Sequence, residues 1–421
     1  MNVERLVAGL DIGSAKTTAI ICEVVGDLPK YPTLKILGVG QARTTGLRRG
    51  VVSDIEETTR SIKKAMQDAE RMAGAQVAGL HVGIAGEHVR AMTSAGIVAV
   101  NGDEISKADV TRANEVARAQ AIPADRELLH AIPQEYTVDR NKGIRDPIGM
   151  IGMRLETEMY LVTIGSSPAM NLRKSVERAG YTVRELVLEP LASALAVLTE
   201  DEKELGVGLV EMGAGTTDLA IFHEGKIRHL GTLNFGGNNV TNDIVHGLGV
   251  TQSDAERIKE KFGCAYEPMM RDSHEIIPLP STVAQGDRQI PRELLSHIIH
   301  QRMDEIFDLA HREIEQAGYA GRLSAGIVLT GGAAAMPGTA ELAADVFGTG
   351  VRVGSPSENL GGLSDSVDAP RFATAVGLAQ FAAYQLALRG VGTAPGKRMS
   401  LGTPGMDKLA QRVRTWLQDF F

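Results

Sequence analysis

Two segments of the chain repeat one pattern 200 residues apart, and this repeat constrains the fold more than any other feature. Leu10 to Thr18 reads LDIGSAKTT, and Val210 to Asp218 reads VEMGAGTTD. In each copy an apolar strand ends on an acidic residue, small and hydroxyl residues follow, and a second apolar strand begins. This pattern predicts a β-hairpin with a small-residue turn. Two copies predict a duplicated α/β core with a site at its pseudo-twofold axis.

A third glycine-rich turn follows another apolar strand in the segment from Ile327 to Gly338. Here the pattern predicts a strand, a loop and then a helix from Thr339 to Phe347. Apolar residues at helical spacing predict two longer amphipathic helices, over 54–72 and 292–317. The acidic run at 200–204 is interpreted as an exposed loop.

The residue types in the turns indicate that they bind phosphate. Small residues let backbone N–H groups surround an anion, and hydroxyl groups and the charge of Lys16 add further donors. Asp11 and Glu211 each end a predicted strand and are expected to face the same cleft, where two carboxylates can hold a hydrated Mg²⁺ ion. Ordinary hairpin turns are the alternative interpretation, and the second copy and the third glycine turn argue against it.

These motifs together resemble those of the actin, heat-shock chaperone and sugar-kinase ATPase superfamily. Asp11 to Thr18 resembles its first phosphate loop, Glu211 to Asp218 its second, and Ile327 to Gly338 its adenosine loop. The resemblance implies an α/β, two-lobed actin-like fold with a five-stranded mixed sheet in each lobe and ATP with Mg²⁺ between the lobes.

The resemblance also implies the site residues. Glu256 and Lys259 match the acid and base of the helix that contacts the ribose, and Glu189 is a weak candidate for positioning a water molecule, by analogy with the chaperones alone. The nucleotide-binding set is Asp11, Gly13, Ser14, Ala15, Lys16, Thr17, Glu211, Gly213, Ala214, Gly215, Thr216, Thr217, Gly236, Gly237, Asn238, Glu256, Lys259, Gly331, Gly332, Ala333 and Met336.

Within the superfamily the chain is most similar to the FtsA family, bacterial division proteins that attach the cytokinetic ring to the membrane. Four segments carry this similarity: Gly9 to Thr18, His81 to Gly86 with the insertion after it, Phe235 to Cys264, and the C-terminal helix. The family usually has Asp where this chain has Glu211, whose extra methylene favours a water-mediated contact with the metal. Rapid hydrolysis is therefore not expected.

The family resemblance implies an ATP-binding, polymerising adaptor on the cytoplasmic face of the inner membrane at the septum. The implied partners are the C-terminal peptide of FtsZ, bound through Arg288 and Arg302, other copies of the chain, later division proteins and anionic membrane lipid. A pilus-assembly ATPase adaptor and a small-molecule kinase of the same fold are the alternatives.

The resemblance and the sequence pattern also imply a division of the chain into domains. The first lobe would contain 1–82, 165–195 and 370–388, with 83–164 as an inserted subdomain. The second lobe would contain 196–235 and 320–369, with 236–319 as its outer subdomain, followed by a linker at 389–405 and a helix at 406–421.

The last sixteen residues have the pattern of an amphipathic helix. At 100° per residue the apolar side chains occupy one arc of about 140°, and the polar ones occupy the rest. A Gly/Pro-rich stretch precedes this segment, which favours a helix on the membrane surface over one docked on the protein. The residues predicted to contact the membrane are Met406, Leu409, Val413, Trp416, Leu417, Phe420 and Phe421.

Composition excludes several other classes of protein. The formal net charge is −8 and no basic stripe is present, which argues against nucleic-acid binding. Cys22 and Cys264 are far apart without CxxC spacing, which disfavours a disulfide framework or a zinc site and indicates a reducing cytosol.

His297, His300 and His311 are interpreted as solvated helix residues. The N-terminal segment lacks the pattern of a secretion signal, and no apolar run is long enough to span a bilayer.

Overall fold

The first repeat forms the centre of the first lobe. In the computed structural model, which describes residues 3–26, 32–270, 275–282 and 286–392, β1 pairs antiparallel with β2 and parallel with β6, and β2 pairs with β3. The elements are β1 (Leu6–Ile12), β2 (Lys16–Val25), β3 (Thr33–Arg43), β4 (Leu47–Arg48), β5 (Val51–Val52), α1 (Ile55–Ala73) and β6 (Gly79–Ile84).

Helix α1 lies on the sheet at β3, and Asp54 caps its N-terminus by accepting a hydrogen bond from the Glu57 N–H. Close packing is possible because β3 carries glycine where the two backbones meet. A Cβ atom on Gly40 would lie 1.9 Å from the carbonyl oxygen of Ala65. The observed bounds of α1 differ from those of the helix predicted over 54–72 by one residue at each end.

An inserted subdomain follows β6. Its antiparallel sheet has the order β7-β10-β8-β9, and α2 covers one face. Ser106 and Asp109 form a capping box at the start of α2. The elements are β7 (Arg90–Ala99), α2 (Lys107–Arg118), β8 (Arg126–Val138), β9 (Asn141–Ile144) and β10 (Arg154–Gly165).

The chain then returns to the first sheet through α3 (Ser166–Arg178) and β11 (Thr182–Leu188), and leaves it through α4 (Glu189–Val197) and α5 (Glu200–Leu205). The interpretation of 200–204 as an exposed loop is wrong, because these residues form α5. Thr199 and Glu202 make a capping box at its start, and the Lys203 side chain is buried.

The second repeat forms the centre of the second lobe, whose sheet has the order β14-β13-β12-β17-β18. The elements are β12 (Val207–Met212), β13 (Thr217–His223), β14 (Lys226–Leu233), α6 (Gly237–Leu248), α7 (Gln252–Phe262), β15 (Ile276–Thr282), β16 (Gly286–Pro291), α8 (Arg292–Gln316), β17 (Ile327–Thr330), α9 (Thr339–Phe347) and β18 (Val351–Val353). Helix α9 has the predicted bounds, and α8 ends one residue before the predicted end.

Two elements complete the described chain, β19 (Leu360–Gly362) and α10 (Ala373–Gly392). The order β3-β2-β1-β6-β11 in the first sheet matches β14-β13-β12-β17-β18 in the second, with the same pattern of parallel and antiparallel pairs at its centre. The first sheet has six strands instead of the five predicted, because β19 pairs with β3. Residues 360–362 thus belong to the first sheet, although the prediction assigned 320–369 to the second lobe.

Helices α4 and α10 pack against each other between the two sheets. A Cβ atom on Gly377 would lie 1.7 Å from the carbonyl oxygen of Ala192, and one on Gly9 of β1 would lie 2.5 Å from that of Ala375. Helix α10 continues to Gly392, four residues into the predicted linker. The rest of that linker and the helix predicted at 406–421 lie outside the described residues.

We expect Gly377→Ala to lower the free energy of unfolding by about 1–3 kcal/mol, because the added methyl group forces the two helices apart. Urea denaturation of both proteins measures this difference. Gly350→Ala is the control, since a Cβ atom there meets no atom within 4 Å. Equal midpoints for Gly377→Ala and the parent would contradict the packing described.

Candidate functional site

A cleft of about 550 Å³ separates the two lobes, and the turns of both repeats line it. In the first turn the Gly13 N–H donates to the Lys16 carbonyl oxygen at 3.1 Å, and in the second the Gly213 N–H donates to the Thr216 carbonyl oxygen at 2.9 Å. The two turns also touch, since a Cβ atom on Gly215 would lie 2.7 Å from Ser14 Oγ. The repeat in the sequence therefore forms two equivalent turns that face each other.

Four carboxyl groups line this cleft, on Asp11, Glu189, Glu211 and Asp218. Burial raises the pKa of the Asp11 carboxyl, and the charge of Glu211 raises it further. Burial likewise raises the pKa of Glu189 well above its usual range, with added contributions from the other three carboxylates. Negative charge in the cleft is therefore unfavourable, and a bound cation would relieve it.

Glu211 is the most deeply placed member of the acidic pair predicted to hold a metal. Burial raises its pKa to about 7, although the Thr374 hydroxyl donates a hydrogen bond to Oε1. Its other oxygen, Oε2, is buried without a hydrogen-bond partner. Within the described residues no three acidic, His or Cys side chains form a metal cluster. The two carboxylates fit a hydrated Mg²⁺ ion, which needs few protein ligands.

Asp218 is a fourth acidic residue of the cleft that the sequence prediction did not include among the site residues. Thr232 donates a hydrogen bond to it at 2.6 Å, and Thr216 donates another at 3.1 Å. Burial nevertheless raises its pKa to about 6. Its position directly after the small residues of the second repeat is the signal that could have identified it.

Lys259 and Glu256 line the second-lobe wall of the cleft from α7. The Lys259 ammonium donates to Glu256 Oε2 at 2.8 Å, to the Thr241 hydroxyl at 2.7 Å and to the Gly237 carbonyl oxygen at 3.1 Å. This network fixes α7 to the first turn of α6. Glu256, which is more exposed than Lys259, is the member better able to reach a ligand.

The third glycine-rich turn also lines the second-lobe wall of the cleft. Gly331 has φ +86°, and a Cβ atom there would lie 2.5 Å from the Met212 carbonyl oxygen at the end of β12. A side chain at this position would therefore be strained and would also clash. Because Gly331 has no side chain, the turn can pack directly against the end of β12 in the second repeat.

The cleft contains most of the predicted nucleotide-binding residues. Thr17, Thr217 and Gly236 lie behind its surface: the Thr17 hydroxyl bonds to that of Thr44 at 2.8 Å, and the Thr217 hydroxyl donates to the Phe235 carbonyl oxygen at 2.9 Å. The residues that do line it are Asp11, Gly13, Ser14, Ala15, Lys16, Glu189, Glu211, Gly213, Ala214, Gly215, Thr216, Gly237, Asn238, Glu256, Lys259, Gly331, Gly332, Ala333 and Met336. Sequence reasoning missed Thr18, Gln41, Asp218, Arg371 and Thr374.

Arg288 and Arg302, predicted as partner contacts, both lie in the outer part of the second lobe. Arg302 donates two hydrogen bonds to the Asp243 carboxylate, at 2.6 and 3.2 Å, and also pairs with Glu305. Arg288 donates to the Leu248 carbonyl oxygen at 2.7 Å. Each guanidinium group therefore already has a structural role.

Comparison with known proteins identifies the family. Residues 208–377 match a family model described as cell division protein FtsA, and residues 86–163 match one described as the SHS2 domain inserted in FtsA. The chain is 40% identical over 417 residues to the cell division protein FtsA of Pseudomonas aeruginosa, covering 99% of this chain and 98% of the relative. It belongs to the FtsA family. The family protein of Neisseria meningitidis is 39% identical, with 99% of each chain covered.

Solved structures confirm the predicted fold class. The type IV pilus biogenesis complex PilM-PilN matches with a TM-score of 0.62 at 18% identity, covering 91% of this chain and 98% of that one. MreB5 of Spiroplasma citri bound to ADP matches with a TM-score of 0.56 at 15% identity, covering 93% and 100%. The FtsA-family chain thus has an actin-like fold with an inserted SHS2 domain. Among its described helices, none is long and apolar enough to cross a membrane.

We expect the protein without nucleotide or metal to lose stability as pH rises from about 5 to about 7. The pKa values of Glu211, about 7, and Asp218, about 6, lie above those of unfolded carboxyl groups, so the folded state binds more protons in this window. Thermal unfolding measured across this range tests the expectation. Glu211→Gln should weaken the dependence, and Glu177→Gln on the exposed face of α3 should not. An unchanged dependence in Glu211→Gln would contradict it.

Proposed function

We propose that the chain is an ATP-binding, polymerising adaptor of bacterial cell division that tethers the FtsZ ring to the inner face of the cytoplasmic membrane. The observation that carries the nucleotide part is the pair of facing turns in a cleft that four buried carboxyl groups also line. Membership of the FtsA family supports the cell-division part. Later division proteins would bind the assembled adaptor.

In this proposal the phosphates lie between the two turns, with Lys16 at the entrance. Asp11 and Glu211 would hold Mg²⁺ through water, and the ion would neutralise phosphate charge. Glu256 would contact the ribose, and the turn from Gly331 to Met336 would contact the base. The actin-like neighbours from Spiroplasma citri, bound to ADP and to AMPPNP, support nucleotide binding by a chain of this fold.

Slow hydrolysis follows from the state of Glu189. Burial, together with the charges of the neighbouring carboxylates, raises the pKa of Glu189 well above its usual range, which disfavours the ionised form that would accept a proton from water. We therefore propose that the nucleotide acts mainly as a structural ligand that fixes the relative orientation of the two lobes.

We expect Gly13→Val and Gly215→Val each to weaken binding of Mg-ATP by more than tenfold, because the branched side chain takes the space of the phosphates. Titration calorimetry measures the affinity, and a loss of about 1.4 kcal/mol corresponds to tenfold. Gly350→Val, outside the cleft, controls for a general effect of valine. Parent-like affinity in both variants would refute the site.

The membrane part of the proposal rests on residues 406–421, whose sequence pattern predicts a helix of about 24 Å. This is shorter than the hydrocarbon core, so the helix would lie in the membrane surface. Burial of each large apolar side chain contributes roughly 1.5–3 kcal/mol, offset in part by folding of the helix. One copy would bind anionic lipid reversibly, and a filament with many copies would bind far more tightly.

Trp416→Glu and Phe420→Glu should each prevent co-sedimentation with anionic vesicles and leave nucleotide binding intact. Gln418→Glu adds the same charge on the polar side of the predicted helix and should co-sediment nearly as the parent does. If Trp416→Glu still co-sediments like the parent, the segment does not bind lipid through its apolar face.

The inserted subdomain supports the polymerisation part. It presents exposed apolar side chains near its β9–β10 connection, with Ile151 82% and Met153 81% exposed. Exposed apolar surface of this kind is typical of protein contacts. We propose that this region contacts the next copy in a filament.

Ile151→Asp together with Met153→Asp should leave the fold intact, because both side chains are exposed, and should abolish filaments on ATP-loaded lipid monolayers. Electron microscopy gives the readout. Met170→Asp is the control, since Met170 is 56% exposed but lies on α3 outside the insertion. Filaments of normal length in the double variant would place the contact elsewhere.

The FtsZ peptide is proposed to bind the outer part of the second lobe, near Arg288 and Arg302. Acidic peptide groups would then have to join or replace the present partners of these side chains. Charge reversal at Arg302 would leave Asp243 and Glu305 facing a like charge and would disturb the fold. Arg288→Glu is therefore the cleaner variant for measuring peptide affinity.

A further inference from the structure

A second cavity, of about 270 Å³, lies at the other end of the two helices that separate the lobes. Glu189 at the start of α4 and Thr374 near the start of α10 line the cleft, whereas later turns of both helices line this cavity. We call it the rear cavity. Its lining residues are Leu195, Leu198, Glu200, Lys203, Glu358, Asn359, Gln380 and Tyr384.

Gln380 provides the first indication that the rear cavity binds a ligand. The residue is only 8% exposed, and its Nε2 group donates to the Glu358 carbonyl oxygen at 3.4 Å. Its acceptor, Oε1, is buried and has no hydrogen-bond partner. An unpaired buried acceptor is costly, so a group that donates a hydrogen bond here would be bound favourably.

The charges around the cavity indicate that this donor is a cation. The Lys203 ammonium is buried and lies 2.8 Å from Glu200 Oε1, and the charges of Glu358 and Glu202 also act on it. Glu358 adds a second carboxylate to the lining, and no further cationic side chain lines the cavity within the described residues. The wall therefore carries an excess of negative charge, which favours an ammonium or guanidinium donor.

The size and the apolar part of the lining limit what such a ligand can be. A volume of about 270 Å³ is below the range of pockets for drug-sized molecules. Leu195 and Leu198 offer an apolar surface for methylene groups, and Tyr384 also lines the cavity. The dimensions suit a single short alkyl chain that ends in a charged nitrogen group.

We propose that the rear cavity binds an ammonium or guanidinium group on a short alkyl chain. The group would donate to Gln380 Oε1 and pair with Glu200 and Glu358. Such a group occurs on a free diamine or agmatine and on the Lys or Arg side chain of a polypeptide. The proposal is independent of the function proposed for the cleft.

Occupancy of this cavity would connect elements that belong to different parts of the fold. Glu200 and Lys203 are on α5, which leads into the second sheet, and Gln380 and Tyr384 are on α10, which packs on the first. A ligand that contacts both α5 and α10 would favour one relative orientation of the two lobes. By linkage, ligands in the rear cavity and in the cleft would then change each other's affinity.

Calorimetric titration of the full chain with two probes tests the proposal and separates the two sources. Agmatine represents the free amines, and acetyl-Gly-Arg-Gly-amide represents a basic side chain in a polypeptide. The same peptide with citrulline in place of arginine controls for the charge. Binding of agmatine alone assigns a small molecule, and binding of the arginine peptide assigns a polypeptide. Binding of neither, or equal binding of the citrulline peptide, overturns the proposal.

Four variants locate the binding site. Gln380→Met and Glu358→Gln each remove one partner at similar side-chain size and should weaken binding about tenfold, the effect of roughly one charge-assisted hydrogen bond. Asp201→Asn, on α5 but outside the lining, should leave the affinity unchanged. Asp11→Asn tests whether the probe enters the acidic cleft instead. Full affinity in Gln380→Met, or loss of binding in Asp11→Asn, would refute the rear cavity as the site.

Discussion

The packing of α4 against α10 fixes the position of the two lobes relative to each other. Backbone meets backbone at Gly377 and Ala192, with no space for even a methyl group. One turn away, the hydroxyl groups of Ser193 and Thr374 are 3.0 Å apart, and Thr374 also donates to Glu211 of the second repeat. Because β1 also packs closely on α10 through Gly9, the positions of both turns depend on this one crossing.

The cleft that results is built at a cost in folding energy. Four carboxyl groups share one small space, and each has a raised pKa because burial removes water from it and, for three of the four, nearby carboxylates repel its charge. A chain selected only for stability would place apolar or paired side chains here. Unfavourable local electrostatics of this kind are typical of a site that a bound ligand completes.

Local sequence predicted the features that depend on adjacent residues. The turn of each repeat is contiguous, so its strands, its acidic residue and its position at the axis followed from the pattern alone. Thr374 and Arg371 were missed because only tertiary packing brings them to the cleft. Strand β19 has three residues and no periodicity, and pairs with a strand more than 300 positions earlier in the chain. Helix α5 was read as a loop because its charges outweighed the capping box at Thr199.

The contact between the two turns has a consequence for rates. Ser14 and Gly215 are in contact, so a phosphate group could lie between these two residues only if the turns first moved apart. Because the two turns belong to different lobes, binding and release at this place would require one lobe to move relative to the other. The residence time of such a ligand would then depend on the rate of that movement.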